Sequence, residues 1–212
     1  MTTMHPAVGA AIRWASEADS LDGLDPFGYH EGYIALVRMF ADHVRADDYH
    51  SVLAGANAVY GWMPTILKKG VARPLWEARR GALELLRAAS DWPTARTVIE
   101  SNRDLLHLVN ESVVGTSKFL HFLNPGVFPI WDSNIKLCFG RSHFARSDDD
   151  AYPQYADVVW NSLSCQPAFS QEFVDFVGSD VGPVRRIELL LFLYGKDLRE
   201  SERSNTKGRR SQ

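Results

Sequence analysis

Residues 113–140 read VVGTSKFLHFLNPGVFPIWDSNIKLCFG, and this stretch decides the fold. A turn leads into a short apolar helix predicted over 115–123. Asn124, Pro125 and Gly126 then make a tight connection, since each residue type favours a turn for its own backbone reason. The next residues, Val127 to Trp131, are extended, and a new helix begins after Asp132. Val127 to Trp131 is the best strand candidate in the chain, yet Pro129 lacks the N–H that a central strand needs. The stretch therefore reads as two helices joined by an extended linker, and the region around it agrees.

Tyr33, Val37, Phe40 and Val44 recur at i, i+4, i+7 and i+11, and Ile187, Leu190, Leu191 and Tyr194 at i, i+3, i+4 and i+7. Each set forms one stripe on a helix. Period-two alternation of strand length is absent. Helices are predicted near 5–18, 31–46, 48–59, 75–89, 93–110, 115–123, 133–139, 152–163, 168–178 and 183–195, with Pro93 and Pro183 in first turns, where a missing N–H costs nothing. Residues 20–30 and 140–151 read as the longer loops, and the acidic run Asp148, Asp149 and Asp150 as solvated, with a divalent-ion site as the alternative. The expected fold is all-α, a compact helical bundle. A single domain is expected over 1–198, with room for two subdomains and a cleft, followed by a disordered basic tail over 199–212 that reads as a solubilising end or, alternatively, as a phosphate contact.

Composition sets the outer bounds. Of 212 residues, 45% are hydrophobic and 23% charged, the balance of a globular chain that buries its own core. No apolar run approaches the roughly 18 residues of a membrane span. The start of the chain lacks the basic-then-apolar pattern of a secretory signal, so a cytoplasmic protein with no membrane association is expected. Two cysteines, Cys138 and Cys165, are too few for a zinc site or a disulfide framework. No HExxH spacing and no Gly-rich phosphate loop occurs, so neither a metal nor another cofactor is expected. The net charge of −3 leaves a nucleic-acid partner to be decided by local basic patches.

Several residues carry candidate chemistry. Asp132 at a helix start can cap that helix, and it can also serve as a fixed, ionised carboxylate. Lys68, Lys69, Arg73, Arg79 and Arg80 put five cations within 13 residues, offset only by Glu77. That is a candidate phosphate-binding face, and a solvated helix surface is the alternative. Asn57, Tyr60, Trp62 and Met63 are either packing at a helix end or a pocket wall that stacks and reads a base. Asn124 and Asn134 flank Asp132, one as a turn residue and one placed to orient the carboxylate or a water. Trp131 is either core or platform. His107 and His121 read as satisfied core histidines.

The segment is similar to the active-site region of the helix-hairpin-helix superfamily of DNA glycosylases, with the closer likeness to bacterial proteins of the 8-oxoguanine-glycosylase fold. Gly115, Thr116 and Lys118 match a Gly-containing hairpin with a nearby lysine, and Pro129, Ile130 and Asp132 match the extended element that ends in the catalytic aspartate. The resemblance implies a helical glycosylase fold and an enzyme that flips a modified base from double-stranded DNA. It would cleave the N-glycosidic bond with Asp132 and leave an abasic site. It implies Gly115, Thr116, Ser117 and Lys118 as phosphate contacts, with Lys118 either a second catalytic group, a phosphate contact alone or a structural residue. Only one hairpin glycine is present, and Lys118 stands closer to Asp132 in sequence than the lyase lysine usually does, so a monofunctional enzyme is expected. No iron–sulfur cysteine motif occurs. Proteins of this kind include repair enzymes for oxidised bases and anti-phage enzymes that attack glucosylated hydroxymethylcytosine, and the departures from the repair pattern favour defence. A monomer is expected. A DNA-binding module without catalysis and a helical protein–protein scaffold are the other readings of the same residues.

Overall fold

The computed structural model describes residues 3–18, 21, 29–63, 66–140 and 147–210. Among them the chain is all-helical. In chain order the helices are α1 (Pro6–Glu17), α2 (Tyr29–His43), α3 (Tyr49–Trp62), α4 (Arg73–Ala88), α5 (Trp92–Ser101), α6 (Val113–Leu123), α7 (Ser133–Cys138), α8 (Asp148–Ser164), α9 (Gln171–Val177) and α10 (Pro183–Arg210), with a 3-10 turn at Arg103–His107 between α5 and α6. The only extended pairing among the described residues is an isolated antiparallel bridge between Val71 and Val109. No described helix is long and apolar enough to cross a membrane.

The helices start where short polar side chains take up an orphan N–H of the first turn. Asp48, Asp91, Ser112, Asp132, Ser147 and Ser170 each accept such a bond. One hydrophobic core runs from Ala7 to Leu193 and holds the apolar faces of nearly every helix. Helix α6 lies within it: Phe119 and Leu120 are fully buried, and the ring of Phe119 meets Phe40 of α2 at 5.5 Å between centroids.

Three expectations change. The helix predicted over 93–110 is two pieces. The Asn102 amide donates back to the Val98 carbonyl at 2.8 Å while its own backbone leaves helical geometry, a local bond that competes with continuing the helix. The basic tail predicted to be disordered from 199 is helical to Arg210. It propagates from turns already packed in the core, so it carries no nucleation cost of its own. The acidic run is not simply solvated. Asp148 pairs with Lys136, Asp149 with His107, and Asp150 with Arg103, so the start of α8 is tied to α7 and to the 3-10 turn. Most of the loop expected over 20–30, residues 141–146 of the second loop, and Pro64 lie outside the described residues.

Helix α10 sets the position of α7. The two run together closely enough that a Cβ at Gly195 would overlap the backbone carbonyl of Asn134 and come within 3.1 Å of the Cys138 sulfur. Cys138 also donates to the Leu191 carbonyl at 3.0 Å, and burial pushes its thiol up to about 12. Only a glycine permits this approach, and it fixes the start of α7, hence Asp132, against α10.

Candidate active site

Ser112 caps α6 by accepting from the Gly115 N–H. Gly115 then fits where a Cβ would stand 2.5 Å from the Tyr60 hydroxyl and 2.7 Å from the Val109 carbonyl. Thr116 takes the Val109 N–H on its hydroxyl at 3.0 Å. Ser117 donates to the Val114 carbonyl and accepts the Trp131 N–H, each at 3.0 Å, which pins the extended linker onto α6. All three residues are buried. The expectation that they touch a DNA phosphate therefore does not fit. Their polar groups are spent inside the chain, and they position the next residue.

That residue is Lys118. Its ammonium reaches Asp132 Oδ2 at 3.4 Å across 14 residues of sequence, with the two side chains 12% and 19% exposed. Asp132 Oδ1 accepts the Asn134 N–H at 2.9 Å. The two readings of Asp132 thus coexist: one oxygen caps α7, and the other faces a lysine at the edge of solvent. The Asn134 side-chain oxygen is buried without a hydrogen-bond partner in the structure.

A second ion pair lies beneath. Arg185 and Glu188, one turn apart on α10, are paired and almost wholly buried. Burial pushes the Glu188 carboxyl up against the pull of the Arg185 guanidinium, and Asp132 and Lys118 are both within electrostatic range of it. Arg185 lies over the rings of Tyr33 at 4.8 Å and Trp62 at 5.9 Å. The Tyr33 hydroxyl meets His121 Nε2 at 3.0 Å, and His121 Nδ1 meets the Phe128 carbonyl at 2.6 Å. A carbonyl only accepts, so Nδ1 carries the proton, and Tyr33 donates to Nε2. Burial first, and the Arg185 charge second, pull the imidazole down to about 3, so His121 is neutral.

The structure therefore brings together Lys118, Asp132 and Asn134, with Trp62 beside Arg185. It separates others. Trp131 is core, its ring tilted against Tyr155 at 5.0 Å between centroids and covered by Lys136. Tyr60 packs under Gly115, and Met63 is buried at the end of α3. Asn57 is exposed and spends its amide on the Leu53 carbonyl. Asn124 donates to the carbonyls of Leu86, Arg87 and Ala89 and so ends α4. In the basic stretch, Lys69 pairs with Glu111, Arg73 with Glu77, and Arg79 with Asp104. The Lys68 and Lys69 N–H groups are held by the Asn110 side-chain oxygen. That face is largely self-neutralised.

Sequence reasoning misses Arg185 and Glu188. A signal for them exists as one acid inside the apolar run IELLLFL of residues 187–193. A charge on the buried stripe of a helix needs a partner, and Arg185 stands at i−3. Among the described residues no cluster of His, Cys, Asp or Glu is arranged to hold a metal ion. No protein family, curated protein or solved structure was found to match this chain.

Proposed function

We propose that the chain is a DNA glycosylase with Asp132 as its catalytic carboxylate, and that it excises a modified base from double-stranded DNA. The observation that carries this reading is the Lys118–Asp132 contact, built from two separate elements and left at the solvent edge above a buried ion pair. Cleaving an N-glycosidic bond sends the C1′–N electron pair to the base and leaves positive charge on the sugar. A carboxylate oriented by a backbone N–H stabilises that charge. It also accepts a proton from the water that adds to C1′, and the departing base nitrogen gains a proton in turn.

Lys118 serves this chemistry as a cation. The single hairpin glycine and the short sequence spacing between Lys118 and Asp132 make the expected enzyme monofunctional, leaving an abasic site. The candidate substrates are hypermodified cytosine in phage DNA, as in a defence enzyme, and oxidised bases, as in a repair enzyme.

The test is base release read by mass spectrometry, from unmodified, oxidised, alkylated and glucosylated phage DNA. Asp132→Asn, which keeps a side-chain oxygen for the α7 cap, should abolish release and retain DNA binding. Release that persists in Asp132→Asn would reject Asp132 as the catalytic carboxylate, and no release from any substrate would reject the enzyme reading. In the second case, binding that remains would make the chain a DNA-binding module.

A further inference from the structure

Helix α10 does not end with the core. Its 28 residues span about 42 Å at 1.5 Å per residue. Its last buried residue is Gly195, and from Glu200 to Ser204 every residue is exposed. No apolar side chain occurs after Leu198, so this end has no hydrophobic surface with which to dock on a protein. What it has is charge in register. Lys196, Arg199, Arg203, Lys207 and Arg210 follow one another at intervals of three and four residues. At about 100° per residue these positions fall within an arc of roughly 80°. Asp197 and Glu202 lie well off the arc, and Glu200 stands at its border.

Two features give the stripe a direction and a purpose. The first is its anchor. The Arg199 guanidinium donates to the Ser133 hydroxyl at 3.0 Å, and Ser133 is the residue after Asp132. The stripe therefore starts beside the candidate active site and leads away from it. The second is its internal cost. Arg199 with Arg203, and Arg203 with Lys207, are like charges at i, i+4, a spacing that weakens a helix. A helix under selection for stability alone would alternate signs along this face. A row of cations about one per turn, with no carboxylate in line, is complementary to a regular external polyanion.

We propose that the projecting end of α10 is a phosphate-binding arm that lies along the backbone of the DNA whose base the site receives. This rests on the glycosylase reading for the identity of the polyanion. The arm contacts phosphates and not base edges, so it adds affinity without sequence preference. In the stretch at 68–80, by contrast, Lys69, Arg73 and Arg79 each already face a carboxylate.

The experiment measures binding of the full chain to an unmodified DNA duplex of about 20 base pairs by fluorescence anisotropy across a salt series. Arg203→Gln/Lys207→Gln/Arg210→Gln leaves the Arg199–Ser133 contact and the site untouched. The slope of log K against log salt should become shallower by about 0.9 for each phosphate contact removed, so by up to about 3. The charge-conserving Arg203→Lys/Arg210→Lys should retain the wild-type slope. An unchanged slope in the glutamine variant overturns the arm, even where base release proves the glycosylase reading correct. A stripe-dependent slope in a protein that releases no base upholds the arm and rejects that reading. Capture by phosphatidylserine vesicles that depends on the stripe, with no stripe effect on duplex binding, also overturns the proposal.

Discussion

Two charge-rich regions flank α7 and are built on opposite principles. The inner one holds Arg185, Glu188, Lys118 and Asp132, together with the neutral pair Tyr33 and His121. Its members are mostly out of water, and each depends on a specific neighbour. The outer one joins Arg103, His107 and Lys136 to the run Asp148–Asp150 at the start of α8. Its side chains are between 34% and 53% exposed, so each pair is screened and replaceable. The difference lies in the surroundings of the charges. A buried pair contributes little net stability when whole and costs much when halved. A wet pair contributes little either way. The inner region can therefore hold a carboxylate in one orientation, which an enzyme needs, and the outer region can only tie two elements together.

The sharpest break of this contrast is Arg185→Met. It strands the Glu188 carboxylate in the core and should cost about 3–5 kcal/mol, read as a drop in the urea midpoint. Adding Glu188→Leu should recover most of that loss, because two apolar side chains leave no orphan charge. A single variant no worse than the double would show that the region is wetter than its burial indicates. Next in size is Gly195→Ala, which pushes α10 off the Asn134 carbonyl. It should cost about 1–3 kcal/mol despite the better helix propensity of alanine. It should also reduce any activity, because Asp132 moves with α7.

Helices are more legible in this sequence than the site is. The apolar stripes, the proline starts and the caps mark most of the helices within a few residues, and they mark the all-α class. The break at Asn102 is hidden because it depends on one side-chain bond and not on a pattern. The tail reads as disordered because composition reports on an isolated peptide, whereas this segment grows from a packed helix. Within the site, Asp132 stands out by its position at a helix start and Lys118 by its charge on an apolar helix. Gly115, Thr116 and Ser117 are legible as a motif, but their burial depends on Tyr60, Val109 and Trp131 from elsewhere in the chain. Arg185 and Glu188 acquire a role only through the tertiary contact of α10 with α7.

Histidines sharpen the contrast, since each region holds one and they titrate in opposite directions. Burial holds His121 down to about 3, below its ordinary 6.5. The unfolded chain binds that proton from about pH 6.5 downward and the folded chain does not, so stability falls as pH drops through this window. The linkage slope gives about 2 kcal/mol lost between pH 6.5 and pH 5. His121→Asn should flatten this acid limb in a pH series of urea midpoints, even though it lowers stability at neutral pH by unpairing Tyr33 or Phe128. An acid limb of unchanged steepness would place its cause elsewhere.

The smallest effect belongs to His107. Partial burial lowers its proton affinity, but the Asp149 carboxylate at 2.7 Å and the Glu111 carbonyl at 3.3 Å outweigh that and raise it above the ordinary value. A raised histidine stabilises the fold fully below its unfolded value of about 6.5, and the contribution is lost as pH rises through the higher folded value. Both side chains are more than a third exposed, so the pair is worth about 0.2–1 kcal/mol. Asp149→Asn should therefore destabilise by that amount at pH 6 and by less at pH 9. His121→Asn shows the reverse order, since the wild type gains its advantage from His121 as pH rises from acid conditions toward neutrality. If Asp149→Asn cost as much at pH 9 as at pH 6, the His107–Asp149 contact would act as a neutral hydrogen bond and not as an ion pair. The outer region would then be tied electrostatically by Lys136–Asp148 and Arg103–Asp150 alone, and its histidine would drop out of the comparison.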